Sequence, residues 1–161
     1  MNENRGLWRG KQKYDGKPHK KGEWIEGYFT RLDDNCAAII PHIYGYGEVE
    51  VDEDTLGESA GLSDKNEKLI FEGDIVKYIN SIGIIRFGQY HSPFSPPSEC
   101  HLGFYVDWEG RDSKNLRKDL VYWVGFKPVI IIGNIHDSPE LLRATGEDIG
   151  NAANETILSA T

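Results

Sequence analysis

The stretch Leu69-Ile70-Phe71-Glu72-Gly73-Asp74-Ile75-Val76-Lys77-Tyr78-Ile79-Asn80-Ser81-Ile82-Gly83-Ile84-Ile85-Arg86-Phe87 decides the fold. Two runs rich in β-branched and aromatic residues flank Asn80-Ser81, a two-residue turn candidate, so residues 75–87 read as a β-hairpin. Glu72-Gly73-Asp74 introduces it. Gly73 can take a positive φ, and the Asp74 carboxylate can accept backbone N–H groups in the turn. The same carboxylates can keep a sheet edge polar. Two acids one residue apart lack the distinct environments that a general acid and a general base need. A structural role is therefore expected for Glu72, Gly73 and Asp74.

Working outward, short strands recur. Glu23 to Thr30 is aromatic and β-branched, Asp33-Asp34-Asn35 turns the chain, and Cys36 to Ile40 reads as the hairpin partner, ended by Pro41. Tyr44-Gly45-Tyr46-Gly47 reads as a loop. Glu48 to Asp52 alternates with period two. Asp52 to Lys68 is acidic and turn-rich, with a tight polar turn at Asp64-Lys65-Asn66-Glu67. Residues 88–101 hold Pro93, Pro96 and Pro97 and read as an irregular loop of a length that is often functional. Leu102 to Trp108 alternates again, and a charged turn spans Glu109 to Lys118. Leu120 to Val124 reads as a strand. Val129 to Ile135 is apolar on both faces, the pattern of the most buried strand. Ser138-Pro139-Glu140 carries helix-start chemistry, giving one short C-terminal helix. Residues 143–161 form a small, polar, flexible tail.

These readings add up to a mainly β fold, a small barrel-like or sandwich-like arrangement of about eight short strands. With 161 residues the chain is expected to form one domain over 1–142. The turn at Glu72-Gly73-Asp74 resembles the one that opens the first strand of many SH3-like barrels.

Charge is unevenly spread. The first 21 residues carry seven basic side chains against Glu3 and Asp15, net +5, which leaves −13 on the rest of a chain of net charge −8. An acidic body repels phosphate backbones at long range. Nucleic-acid binding would thus fall to Arg5, Trp8, Arg9, Lys11, Lys13, Lys20 and Lys21, with Trp8 the stacking candidate and the cations facing phosphates. Trp24 and Trp123 alternate with apolar neighbours and read as core. No apolar run approaches the ~18 residues of a membrane helix, and no signal-peptide pattern opens the chain. Cys36 and Cys100 read as free thiols, so the expected location is the cytoplasm.

Three ordered motifs carry a family resemblance. Leu7-Trp8-Arg9-Gly10-Lys11 with Gly22-Glu23-Trp24-Ile25-Glu26-Gly27-Tyr28 opens it. Thr55-Leu56-Gly57, Gly61-Leu62-Ser63-Asp64-Lys65-Asn66 and Ile70 to Val76 form its centre. Ile131-Ile132-Gly133-Asn134-Ile135-His136-Asp137-Ser138-Pro139-Glu140-Leu141-Leu142 closes it. Together they resemble the YopX family of phage and prophage proteins. Glu58-Ser59-Ala60 departs from that pattern, where a glutamine, an aromatic and a threonine are more usual. The resemblance implies a β-dominated fold, a phage or prophage origin and cytoplasmic expression, and no assigned activity. It makes Gly133 and Asn134, like Glu72-Gly73-Asp74, signature-turn residues.

Motifs for chemistry are few. Gly57-Glu58-Ser59-Ala60-Gly61 matches the serine-hydrolase elbow, which needs a buried strand before the serine and a helix after it. Charged Asp52-Glu53-Asp54 upstream and a turn downstream favour an ordinary glycine-rich loop. Cys36, His42, His91, Cys100, His101 and His136 lack zinc-site spacing. No catalytic residue, metal or cofactor is assigned. The expected function is a non-enzymatic accessory protein acting through a protein partner or self-association. Nucleic-acid binding through the basic segment is the alternative.

Overall fold

The computed structural model describes residues 6–43, 45–110, 113–126 and 128–143. Among the described residues the fold is mainly β, nine strands in two sheets, and the chain divides into two compact units, Met1–Gly61 and Leu62–Thr161. Residues 1–5 and 144–161 lie outside the described residues, and with them Arg5 and nearly all of the expected tail.

The first unit is a ring of antiparallel strands. β1 (Leu7–Gln12) pairs with β2 (Trp24–Asp33), β2 with β3 (Cys36–Pro41), and β3 with β4 (Val49–Ser63). β1 then pairs with β4, which closes the ring in part. Its interior holds Ile25, Ala37, Ile39 and Val51, with Trp8, Phe29, Val49 and Leu56 packed around them. The β2–β3 hairpin matches the sequence reading.

Two readings in this unit change. The basic segment, given no strand from the sequence, contains one at Leu7–Gln12. Likewise the glycine-rich stretch is not a loop, because β4 runs on to Ser63. The alternation there is concealed. Its buried members are Thr55, Gly57, Ser59 and Gly61, none of them large or apolar, so hydropathy gives no strand signal. The acidic run sits at a bulge, where the β1–β4 register shifts between Arg9↔Gly57 and Lys11↔Asp52. There the Thr55 hydroxyl accepts the Lys11 N–H at 2.8 Å and donates to the Asp52 carbonyl at 2.6 Å. A side chain thus replaces the ladder partner that the bulge removes.

In the second unit, β6 (Asp74–Tyr78), β7 (Ser81–Tyr90), β8 (His101–Trp108) and β9 (Ile130–Asn134) form a sheet in the order β8-β7-β6-β9. β5 (Leu69–Phe71) precedes them. The hairpin read at 75–87 is β6 and β7, with Tyr78 opposite Ser81, so its turn is Ile79-Asn80. Ile79 takes φ +52° there. A β-branched residue in that region is a steric outlier, and nothing in its chemistry announces the turn.

Three further readings are corrected. Leu120 to Val124 is helical: α1 spans Leu120–Gly125 and buries Leu120 and Trp123 one turn apart, while Val121 faces out. A five-residue apolar run does not separate a strand from a buried helix turn. β9 is an edge strand, not the most buried one, with only Ile132 fully inside. The short C-terminal helix is present where it was read, as a 3-10 turn at Pro139–Leu142, although Ser138 makes no side-chain cap bond. The irregular loop shrinks to 91–100, since β7 reaches Tyr90 and β8 begins at His101.

Candidate functional site: an aromatic and cationic surface

The basic residues of the first unit do not act as one patch. Alternation along β1 sends Trp8 inward and Arg9 and Lys11 to the opposite face. Trp8 packs against the inner cluster, 5.1 Å from the Phe29 ring. It is half-buried rather than offered for stacking. Trp24, read as core, is the half-buried tryptophan that carries cations: Arg9 lies 4.8 Å and Lys11 5.3 Å from its ring. Arg9 is itself buried.

Folding also cancels the charge asymmetry of the sequence. Lys11 stands opposite Asp52 in the ladder. Lys13 pairs with Glu50 at 2.6 Å, and this hydrogen bond raises the lysine pKa. Burial and the nearby Glu50 charge raise the Cys36 thiol. Arg31 pairs with Glu53, which lowers the Glu53 carboxyl and raises the guanidinium. Lys11, Lys13 and Lys21 do meet in one cleft of about 350 Å³, walled also by Gln12, Tyr14, Gly22 and Asp52. Buried Gln12 organises it, donating to the Tyr14 carbonyl and accepting the His19 N–H. Lys20 does not line the cleft, and its backbone N–H donates to Glu23.

The signature residues converge within the second unit. Asp74 stands opposite Asn134 and Ile75 opposite Gly133 across β6 and β9. Gly73 has φ +86°, its N–H donates to Ile85 and its carbonyl accepts from Ile135. The Asp74 carboxylate accepts the Phe71 N–H at 2.8 Å. Asp74 is buried on a central strand, so it does not serve to keep an edge polar. A Cβ on Gly133 would lie 2.9 Å from a Leu141 methyl. Asn134 accepts the N–H groups of His136 and Asp137. Both motifs are thus one structural knot.

Asp64, read only as part of a turn, does more. It is buried, and its carboxylate accepts the N–H groups of Asn66 and Lys68 and, 67 residues away, of Ile131 on β9. Ser59 lies within β4, where its hydroxyl accepts the Gly61 N–H, so the strand–turn–helix of an elbow is not formed there. Among the described residues no group of three His, Cys, Asp or Glu is placed to hold a metal.

An exposed aromatic surface lies around α1 and the proline-rich loop. Segment 117–119 runs along β8: the Val106 N–H donates to the Lys118 carbonyl, and Tyr105 bridges Asp119. The Arg117 carbonyl accepts two indole N–H groups, from Trp108 and Trp123, each at 2.8 Å. Both tryptophans are buried. The Arg117 side chain emerges from this anchor with its Cζ 4.8 Å from the Tyr122 ring and 5.2 Å from the Phe94 ring. Phe126 lies beyond Tyr122, the two rings tilted at 31° with centroids 5.7 Å apart. Phe94, Val121 and Phe126 are 66%, 69% and 79% exposed.

The loop that carries Phe94 is tied down. Ser95 donates to Ser92 and Glu99 to Pro96, two successive turns rather than an extended proline helix. His91 contacts the Glu99 carbonyl at 2.9 Å, and the Ser95 hydroxyl lies 3.3 Å from His101. His101 and Tyr105 stack on Tyr90, whose hydroxyl bonds Asp119 at 3.1 Å. Burial, with the Asp119 charge second, pushes the Tyr90 phenol up to about 12. Sequence reasoning singled out the loop, but it missed Arg117, Tyr122 and Phe126. Their sequence spacing pairs no cation with an aromatic until α1 forms.

No helix among the described residues is long and apolar enough to cross a membrane. No curated protein matches the chain. A solved structure, the crystal structure of protein EF1440 from Enterococcus faecalis, is 25% identical and aligns over 85% of this chain and 96% of that one, with a TM-score of 0.42. The family model described as YopX protein matches residues 13–143, which leaves the opening motif at Leu7–Lys11 outside the match. Central and closing motifs both fall inside that span, and the chain belongs to the YopX family.

Proposed function

We propose that this chain is a non-enzymatic accessory protein of a phage or prophage that works in the cytoplasm by docking a protein partner on the aromatic surface of its second unit. One observation carries the reading: Phe94, which flanks Arg117, and Val121 and Phe126, on the same helix as the Tyr122 that also flanks it, are each about two-thirds exposed or more. Isolated exposed apolar residues are ordinary, but aromatic and arginine side chains gathered together are the composition of binding hot spots. The double substitution Phe94→Ser and Phe126→Ser touches only exposed side chains. It is expected to abolish co-purification of a stoichiometric partner from the host, or self-association in sedimentation velocity, with the thermal midpoint within a few degrees of wild type. Undiminished association in the double variant would refute this reading.

A second reading rests on the cleft of Lys11, Lys13 and Lys21 beside Tyr14, which suits a single-stranded nucleic acid. Glu50 and Asp52 offset its charge. The expected result is no gel shift of an oligothymidylate at low salt. A shift that weakens with salt and with neutralised Lys13 and Lys21 would favour the cleft instead.

A further inference from the structure

Two exposed arginines pair with carboxylates: Arg31 with Glu53 and Arg86 with Asp107, the latter at 3.0 Å. Arg117 is different. It is exposed, and no acidic side chain among the described residues bonds it. Two aromatic rings hold it instead. Its backbone is fixed as well, because its carbonyl accepts both buried indoles. Stacking uses the faces of a guanidinium and leaves its N–H edge for a planar anion. A side chain held in this way also gives up little rotamer freedom on binding.

We infer that Arg117 is the receptor for a carboxylate on a partner polypeptide, with apolar side chains next to that carboxylate seated on Phe94, Val121 and Phe126. This rests on the docking surface proposed above and names the chemistry of its occupant. Charge complementarity selects the ligand. The N–H edge calls for an oxyanion, while a chain of net charge −8 disfavours a polyanion such as nucleic acid. One carboxylate within an apolar segment meets both conditions.

A random-peptide display selection on the full chain tests this, run in parallel on wild type, Arg117→Gln and Phe94→Ser/Phe126→Ser. Arg117→Gln keeps the backbone carbonyl and so keeps both indole bonds. Peptides with Asp, Glu or a free C-terminal carboxylate beside Leu or an aromatic residue are expected from wild type. Synthetic copies should bind Arg117→Gln at least about tenfold more weakly, as should their Asn or Gln analogues on wild type. Their addition should also shift the Arg117 Nε–Hε resonance. Acid-free peptides that bind Arg117→Gln unchanged but are lost on the phenylalanine double variant would overturn the carboxylate receptor and leave the docking surface standing. No enrichment on wild type would overturn both. An oligothymidylate that shifts the same Arg117 resonance in preference to the peptides would replace the polypeptide with a nucleic acid and overturn the inference.

Discussion

Asp64 is where one side chain joins distant parts of the second unit. Its two oxygens serve three backbone N–H groups, one of them on β9. Removing a buried acceptor leaves its donors unsatisfied. Asp64→Ala is expected to lower the unfolding free energy by about 2–4 kcal/mol in urea titration. Gly133→Ala asks for space that Leu141 and Ser138 already fill, and should cost about 1–3 kcal/mol by the same measurement. Tyr90 offers a pH test. Its phenol is raised from the ordinary value of 10.0 to about 12, so the fold favours the neutral form. That contribution is complete below pH 10 and is lost as pH rises from about 10 through about 12. Absorbance titration should show one late phenol near the upper value, absent in Tyr90→Phe, and stability should fall across the same window.

Elements differ in how legible they were, and the reasons are physical. The β6–β7 hairpin was legible because isoleucine and valine recur in both strands, at Ile75, Val76, Ile82, Ile84 and Ile85. β4 was not, since its buried positions are Thr55, Gly57, Ser59 and Gly61, which leave no hydropathy period to count. α1 was misread because Leu120, Trp123 and their neighbours form an unbroken apolar run that suits either structure. β9 looked central because Ile130 to Ile132 are all apolar, yet its outer edge is closed by the Asp64 carboxylate and by Lys65, whose N–H donates to Val129. The bulge in β4 gives an element-scale prediction. Thr55→Val keeps the shape and removes both hydroxyl bonds. It should cost about 1–2 kcal/mol in urea titration and speed amide exchange at Lys11.

Across the whole molecule, the charge map of the sequence proved a poor guide to the surface. A +5 segment and a −13 remainder suggested a basic patch, but β1 folds against the acidic part of β4. Lys11 and Lys13 then face Asp52 and Glu50. Net charge governs long-range attraction, but strand pairing decides which charges survive as a local field. The candidate site was half legible. Proline content marked the 91–100 loop, while the cation it serves comes from segment 117–119 and becomes visible only when that segment lies along β8. Neutralising Lys20 and Lys21 together should leave partner association unchanged in sedimentation velocity, whereas Phe94→Ser/Phe126→Ser should abolish it.

The shared carbonyl of Arg117 has an optical consequence. Trp108 and Trp123 lie 4.8 Å apart with their planes inclined at 67°. Two transition dipoles that close and that far from parallel couple into an exciton pair. Circular dichroism of the indole bands should therefore carry a bisignate signal, erased by Trp108→Phe or Trp123→Phe. Because both indoles are tethered to the residue whose side chain presents the docking fork, a ligand that tugs on Arg117 would alter that signal. The protein would then report its own occupancy without a dye or a label.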